Sequence, residues 1–287
     1  MSITVSSPAK VNLFLKVLGK REDGYHEIRS LIQPISLSDE LTIEAVPGDT
    51  VTVTCDSAAV PTGRENLAWR AAELFLERTG LKMAVRIDIV KKIPVAAGLG
   101  GGSSNAALVL RGLNELLGTG LGEEELMDIA ASIGSDVPFF IPGGPAVVSG
   151  RGEILEKTTL PAYEYVLINP GFEVSARWAY DNLDLTKKGG DNILLYSGKS
   201  LGVPEGIKAY LYNDLEGGVL KKHQEISILK GLLDGAGALG SLMSGSGPTV
   251  FGVFTDGDLA ARAMEDLERQ IDSPAAIFHA RGLARGL

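Results

Sequence analysis

The segment from Gly98 to Ser104 has a composition suited to binding an anion. Five residues, four of them glycine, are followed by two serines and then by a stretch with helical spacing. Because glycine has no Cβ, such a backbone can wrap closely around a phosphate and present its amides. The start of the following helix would add to the attraction. A flexible connector is the alternative. The predicted loop residues are Gly98, Leu99, Gly100, Gly101, Gly102, Ser103 and Ser104.

This loop matches neither of two familiar nucleotide motifs. A Walker A loop has Lys followed by Ser or Thr after its second glycine, whereas Gly102 is followed by Ser103-Ser104. The dinucleotide fingerprint requires a third glycine, and its position holds Ser103. The pattern therefore predicts a phosphate loop of another kind.

Lys10 and Asp136 are of the residue types that a hydroxyl-phosphorylating kinase uses. An aspartate can accept the proton of the attacking hydroxyl, and a lysine can stabilise the charge that develops. Taken alone, a lysine on a strand is usually solvated and an aspartate after a helix usually belongs to a turn. Asn12 shares a strand face with Lys10. Tyr25-His26 could be core or surface, and an exposed pair would suit a planar base.

The elements that would hold these residues alternate irregularly, which favours an α+β fold over a doubly wound parallel sheet. Val11, Leu13, Leu15 and Val17 are expected to share one face of a strand. The periodicity predicts strands at 11–17, 50–54, 85–89, 165–168 and 250–254, and helices at 65–79, 105–117, 123–133 and within 204–217.

Composition excludes several classes of protein. The 287-residue chain has a net charge of -9, so duplex nucleic acid and anionic membranes would be repelled. One cysteine, Cys55, permits no intrachain disulfide, and three scattered histidines support no zinc site. The longest apolar stretch, Val137–Val148, is too short and too rich in proline and glycine to cross a bilayer. No targeting segment is visible at the N-terminus. We expect a soluble cytoplasmic protein without a metal site of its own.

Two segments resemble a known superfamily. Pro94–Ala107 is similar to the phosphate loop of the GHMP kinases, and Ser244–Thr249 is similar to their C-terminal motif. Further segments resemble, in the right order, the branch of that superfamily that acts on 4-diphosphocytidyl-2-C-methyl-D-erythritol. They are Ser7–Leu13, Asp23–His26, Gly134–Phe140 and Asn213–Glu216.

The resemblance implies a two-domain α+β kinase with its active site at the domain junction. Residues 1–155 would bind ATP, and residues 156–287 would bind the substrate. The γ-phosphoryl group would pass to the 2-hydroxyl of the cytidylyl methylerythritol, in the non-mevalonate isoprenoid route. Mg²⁺ would arrive with ATP, with Ser104 as its candidate protein contact. No prediction of the oligomeric state follows.

The resemblance also implies roles for single residues. Asp136 matches the base and Lys10 its partner, with Asn12 beside the reacting hydroxyl. Tyr25 would stack on cytosine and His26 would read its edge, while Tyr180, with Trp178 as competitor, would cover the other face. The adenine would lie near Asn66, Leu67 and Pro94. Two departures from the family pattern are Ala96-Ala97, where glycines or Met-Gly are usual, and Ser135 in place of alanine.

Two alternatives stay open at this point. One is another GHMP kinase, of the homoserine or mevalonate type, which lacks the segment Asp23–His26. The other is a non-catalytic nucleotide-binding sensor, which would have no need to keep both Lys10 and Asp136.

Overall fold

The computed structural model describes residues 1–183, 204–271 and 274–284, with the side chains of 204 and 205 excepted. The predicted α+β class is confirmed. The strands are β1 (Ser2–Lys20), β2 (His26–Pro47), β3 (Val51–Cys55), β4 (Met83–Val90), β5 (Ala146–Gly150), β6 (Ile154–Lys157), β7 (Glu164–Asn169), β8 (Tyr212–Asn213), β9 (Ser241–Met243), β10 (Val250–Phe254) and β11 (Ala276–Arg281). The α-helices are α1 (Leu67–Thr79), α2 (Gly101–Leu117), α3 (Glu123–Ile133), α4 (Ala176–Asp181), α5 (Glu216–Lys222), α6 (Glu225–Gly235) and α7 (Gly257–Glu268).

The first sheet is built on the long antiparallel pair β1 and β2. Its order is β3-β4-β2-β1-β8, and β5 and β6 extend it from the far part of β2. Helices α1 and α2 pack on each other, and α2 packs on β1 and β2. The glycine-rich segment therefore opens the helix that lies on the strand carrying Lys10.

The second sheet is antiparallel, with the order β11-β7-β10-β9. Helices α6 and α7 cover it. All its strands come after residue 160, whereas the first sheet uses strands from before residue 160 together with β8. The predicted boundary at residue 155 lies within β6 and stays a prediction.

The core forms two hydrophobic clusters, and β1 contributes to both. Val11 and Leu13 pack in the cluster that joins the two sheets, while Leu15 and Val17 pack in the cluster beneath the helices. The register of β1 against β2 shifts between Asn12 and Phe14. A bulge of this kind places two successive residues on one side and reverses the alternation after it. The prediction that these four residues share one face is therefore wrong.

Two helix starts differ from the sequence prediction. Helix α1 begins at Leu67 and not at residue 65, because the Asn66 side chain accepts a hydrogen bond from the Ala68 amide and caps the helix. Helix α2 begins at Gly101, so four of the seven predicted loop residues form its first turn. The predicted helix within 204–217 is a short 3₁₀ helix, Pro204–Tyr210, followed by β8. Of the helices in the described ranges, none has the length and apolar character needed to cross a membrane.

Candidate active site

The carbonyl oxygen of Gly98 joins three distant segments of the chain. It accepts hydrogen bonds from Lys10 Nζ at 2.9 Å and from Ser244 Oγ at 3.0 Å. A Cβ on Gly98 would lie 2.1 Å from the carbonyl oxygen of Ser244, and Gly98 has a φ of 75°. Only glycine fits such a close approach in the left-handed region. The two loops that the sequence singled out, around Gly98 and Ser244, are thus in direct contact.

Lys10 and Asp136 meet at the edge of this junction. Lys10 is 4% exposed, and its Nζ lies 3.8 Å from Asp136 Oδ2, whereas 42% of the Asp136 side chain is exposed. Burial lowers the pKa of Lys10, and the negative charge of Asp136 acts in the opposite direction. The pair therefore combines a buried cation with a carboxylate that a substrate can reach.

Asn12 is held in one orientation between these groups. Its Oδ1 accepts a hydrogen bond from Lys10 Nζ at 2.5 Å, and its Nδ2 donates to Ser30 Oγ at 2.9 Å. The Ser30 hydroxyl in turn donates to the carbonyl oxygen of Phe14 at 2.5 Å. A side chain with both ends committed in this way has one orientation, so Asn12 fixes the position of the Lys10 ammonium group.

A cleft of about 350 Å³ lies between the first sheet and the start of α2. It brings together nine of the residues expected at the nucleotide: Asn66, Leu67, Pro94, Gly98, Leu99, Gly100, Gly101, Gly102 and Ser103. Ser104 is the exception. Its side chain is fully buried, and its Oγ accepts a hydrogen bond from Ser7 Oγ at 2.8 Å, so it lies behind the cleft wall.

The start of α2 supplies amides to this cleft. Gly100 precedes the helix with a φ of 70°, and Gly101, Gly102 and Ser103 are its first three residues. The first amides of a helix have no carbonyl partner within it and lie at its positive end. At the other side of the cleft, Ala96 has a φ of 51°, the left-handed conformation that glycine adopts more readily. The backbone at Ala96 therefore carries some strain.

A group of aromatic side chains lies beside the Lys10–Asp136 pair. The rings of His26 and Tyr180 stack with centroids 4.9 Å apart and planes 19° apart. The pKa of Tyr180 is raised by burial and by the charge of Asp136, which places its phenol near that carboxylate. Tyr25 is 50% exposed, and the Arg151 guanidinium lies 4.9 Å from its ring centroid. Trp178 is covered by the Lys222 ammonium at 4.6 Å. Of the two competitors, Tyr180 is the one that contacts His26.

Comparison with known proteins agrees with this geometry. Two family models match the chain: "GHMP kinases N terminal domain" over residues 66–144 and "GHMP kinases C terminal" over residues 199–272. The 4-diphosphocytidyl-2-C-methyl-D-erythritol kinase of Syntrophotalea carbinolica is 47% identical over 262 residues, covering 91% of this chain and 92% of the relative. That of Geobacter sp. strain M21 is 48% identical over 92% of this chain and 93% of its own length. The chain belongs to the 4-diphosphocytidyl-2-C-methyl-D-erythritol kinase family of the GHMP kinases.

Solved structures place this kinase in the same fold. A crystal structure of 4-(cytidine 5'-diphospho)-2C-methyl-D-erythritol kinase superposes with a TM-score of 0.83 at 37% identity, over 98% of this chain and all of the other. Homoserine kinase from Cytophaga hutchinsonii superposes with a TM-score of 0.80 at 21% identity, over 99% and 96% of the two chains, and shows a shared fold. The enzyme is therefore a small-molecule GHMP kinase, and the sensor alternative loses its support.

Sequence reasoning missed Ser30, and it gave no role to Asn213, although Asn213 opens the resembling segment Asn213–Glu216. Ser30 holds Asn12, and Asn213 Nδ2 donates to the carbonyl oxygens of Met243 at 2.8 Å and Gly245 at 2.7 Å, which shapes the second glycine loop. Ser30 and Asn213 are both buried. The local sequence carries no signal for these contacts, because Ser30 follows Arg29 and Asn213 precedes Asp214, so neither is a lone polar residue in an apolar strand.

Proposed function

We propose that this kinase transfers the γ-phosphoryl group of ATP to the 2-hydroxyl of 4-diphosphocytidyl-2-C-methyl-D-erythritol, in the non-mevalonate route to isoprenoid precursors. One observation carries the proposal: the Lys10 ammonium group lies between the Gly98 carbonyl of the phosphate loop and the accessible carboxylate of Asp136. Relatives of 43% to 48% identity that bear the corresponding name support the choice of substrate.

Asp136 is the proton acceptor in this proposal. As the substrate oxygen forms its bond to the γ-phosphorus, the bond from that phosphorus to the β-phosphate oxygen breaks, and ADP leaves. The hydroxyl proton passes to the Asp136 carboxylate. Its 42% exposed side chain leaves room for a hydroxyl within hydrogen-bonding distance.

Lys10 stabilises the negative charge on the substrate oxygen and the transferring phosphoryl group. A cation in a site that excludes water acts more strongly than one in bulk water. Its anchors on Asn12 and Gly98 hold it in place before the substrate arrives, so little reorganisation is needed during the reaction. Most of the rate enhancement would come from positioning and electrostatics.

The nucleotide would occupy the cleft with its phosphates at the start of α2 and its adenine near Asn66, Leu67 and Pro94, all of which line the cleft. In the described ranges no group of three or more His, Cys, Asp or Glu side chains could hold a metal ion. Ser104 is buried behind the wall, so it offers no open hydroxyl to a cation. In this proposal Mg²⁺ enters as part of the Mg·ATP substrate, and no step here depends on protein ligands for it.

The cytidine end of the substrate would lie on Tyr25. The exposed ring of Tyr25 offers a stacking surface that Arg151 supports from one face. A base on that surface would present its edge to the nitrogen atoms of His26. Tyr180 covers one face of the His26 ring, and centroids 4.9 Å apart leave no room for a base between those two rings. Tyr180 would thus act by orienting His26.

The test is ATP consumption by the purified protein, with Mg²⁺, against 4-diphosphocytidyl-methylerythritol, homoserine and mevalonate in parallel. We expect turnover with the first substrate alone. Turnover with another of the three substrates would be consistent with the fold and would contradict the roles proposed for Tyr25 and His26.

In the same assay Asp136→Asn should lower kcat by about two to four orders of magnitude while ATP affinity changes little. His26→Ala should raise the KM of the cytidylyl substrate more than that of ATP.

A further inference from the structure

Ser30 is a buried serine on β2 whose hydroxyl reaches across to the strand that carries Lys10. The residue is 0% exposed. Its Oγ donates to the carbonyl oxygen of Phe14 at 2.5 Å and accepts from Asn12 Nδ2 at 2.9 Å. These two partners lie on either side of a register shift in β1. Since a substrate cannot touch a residue this deeply buried, any effect of Ser30 on the reaction must pass through one of its partners.

The direction of these hydrogen bonds follows from the chemistry of the groups that form them. A carbonyl oxygen only accepts, so the single hydroxyl hydrogen of Ser30 is used on Phe14. The Ser30 oxygen is then left to accept, and it must face the Nδ2 end of the Asn12 amide. The Oδ1 end is thereby turned towards Lys10, whose ammonium group only donates. Exchanging the two ends of the amide would place a donor against that cation.

The acceptor that Asn12 offers acts on the charge of Lys10. Among the described residues, Asp136 faces the ammonium group at 3.8 Å, and the Tyr180 phenol lies near that carboxylate. The other partners of the ammonium group, Asn12 Oδ1 and the Gly98 carbonyl oxygen, are uncharged. A hydrogen bond from an ammonium group favours its charged form, so Asn12 opposes the burial that lowers the pKa of Lys10.

We propose that Ser30 is a positioning residue of the phosphoryl transfer, which acts through Asn12 to hold the Lys10 ammonium group in place. The hydrogen bonds run in one direction, from Lys10 through Asn12 and Ser30 to the backbone of Phe14. Without the Ser30 hydroxyl, Asn12 Nδ2 would be buried without this acceptor, which is unfavourable, and the amide would lose its fixed orientation. The inference rests on the role proposed for Lys10 in the reaction.

A double-mutant cycle on Ser30→Ala and Asn12→Ala tests whether Ser30 acts through Asn12. Ser30→Ala alone should lower kcat about tenfold and leave the KM of ATP nearly unchanged. In the Asn12→Ala background the same change should have almost no further effect on kcat. A serine needed only for packing would lower stability in both backgrounds and leave kcat unchanged. That result, or equal losses of kcat in the two backgrounds, would overturn the inference.

The pKa of Lys10 gives a second readout that does not use the reaction. The NMR signal of its ε-carbon, assigned by its loss in Lys10→Met, is titrated without substrates. We expect this pKa to be lower in Ser30→Ala than in the wild type, because the ammonium group loses a fixed acceptor. Thr119→Val is the matched control, since it removes a hydroxyl that donates to the Asn114 amide at the far end of α2. It should leave the pKa of Lys10 and kcat unchanged.

Ser30→Cys keeps a buried side chain of similar size and replaces the hydroxyl by a thiol, which is a weak donor and a weak acceptor. It should change kcat and the pKa of Lys10 in the same direction as Ser30→Ala, and it serves as the test if the alanine variant does not fold. A pKa of Lys10 equal to that of the wild type in these variants would contradict the inference. A wild type without turnover would instead contradict the proposed reaction, and the titration would still report on Ser30.

Discussion

Lys10 carries its ammonium group where little water reaches it, and three neighbours compensate for the lost solvation. Asn12 Oδ1 and the Gly98 carbonyl oxygen accept its hydrogen bonds, and Asp136 supplies a negative charge at 3.8 Å. Burial is the larger influence, so the pKa of Lys10 lies below its ordinary value. The same desolvation that strengthens its attraction for a phosphoryl group makes its protonation less favourable.

This balance predicts a pH dependence of stability. Between the lowered pKa of folded Lys10 and the ordinary lysine pKa, the unfolded chain binds more protons than the folded one. The contribution of Lys10 to the free energy of unfolding therefore rises with pH between these two pKa values. Outside that range its contribution does not change with pH. Lys10→Met lacks this titration. The free energy of unfolding of the wild type, measured by urea titration from pH 7 upward, should increase relative to Lys10→Met as pH rises. A difference that is constant or falls would contradict the assignment.

At the residue scale the sequence predicted the charged groups better than the amides. Lys10 and Asp136 follow from residue type and from the family pattern, and the structure places them together. Asn105 directly follows Ser104, and its two amide atoms are buried without a hydrogen-bond partner. Nothing in the sequence shows this, because pairing depends on segments far along the chain. For the same reason Ser30 could not be linked to Asn12 before the register of β1 against β2 was known.

At the scale of elements, the start of α2 is fitted to the second glycine loop through Gly98. Gly98 and Gly118 flank the same helix, with φ values of 75° and 59°. A Cβ on Gly98 would meet the Ser244 carbonyl oxygen at 2.1 Å, whereas one on Gly118 would meet nothing within 4 Å. A side chain at Gly118 would therefore meet backbone strain alone, whereas a side chain at Gly98 would meet backbone strain and a steric clash.

Alanine substitutions use this difference. Gly118→Ala should cost about 1 kcal/mol, because alanine tolerates the left-handed region poorly. Gly98→Ala should cost about 2 kcal/mol more, because the two loops must move apart. It should also lower kcat, since the carbonyl that holds Lys10 would shift. Urea unfolding and steady-state kinetics on both variants test this. Equal losses of stability would mean that the contact between the loops is loose.

Element boundaries show what periodicity can and cannot predict. The helix at 123–133 and the strand at 250–254 were predicted with the observed bounds, since their patterns are uninterrupted. The face of β1 was not, because a bulge near Asn12 leaves no mark in the alternation of apolar and polar residues. Helix α2 begins within the predicted loop. Gly101 and Gly102 form part of its first turn, although glycine has a low intrinsic helix propensity.

At the scale of the molecule, the two sheets share one hydrophobic cluster. Val11 and Leu31 of the first sheet pack in the same cluster as Leu167, Phe251 and Val253 of the second. Strand β8 pairs with β1, with Phe14 opposite Tyr212, so the first sheet is also completed by the second half of the chain. The two predicted domains thus depend on each other for burial.

This dependence predicts the behaviour of fragments. Residues 1–155 alone should lack a cooperative thermal transition and should bind a hydrophobic dye, because one face of the first sheet loses its cover. Co-expression with residues 156–287 is the control and should restore a single transition. Near-ultraviolet circular dichroism and dye fluorescence measure both. A cooperative transition in residues 1–155 alone would show that this half folds independently.

The shared acceptor at Gly98 has a consequence for protein synthesis. Ser244, which donates to that carbonyl, is 146 positions further along the chain. A ribosome that has made Lys10, the glycine-rich segment and Asp136 has made every group proposed to act in catalysis, yet the donor that completes their junction is still untranslated. The nascent enzyme would remain inactive until the segment that contains Ser244 has been translated. Onset of activity during translation would therefore mark the completion of the whole fold.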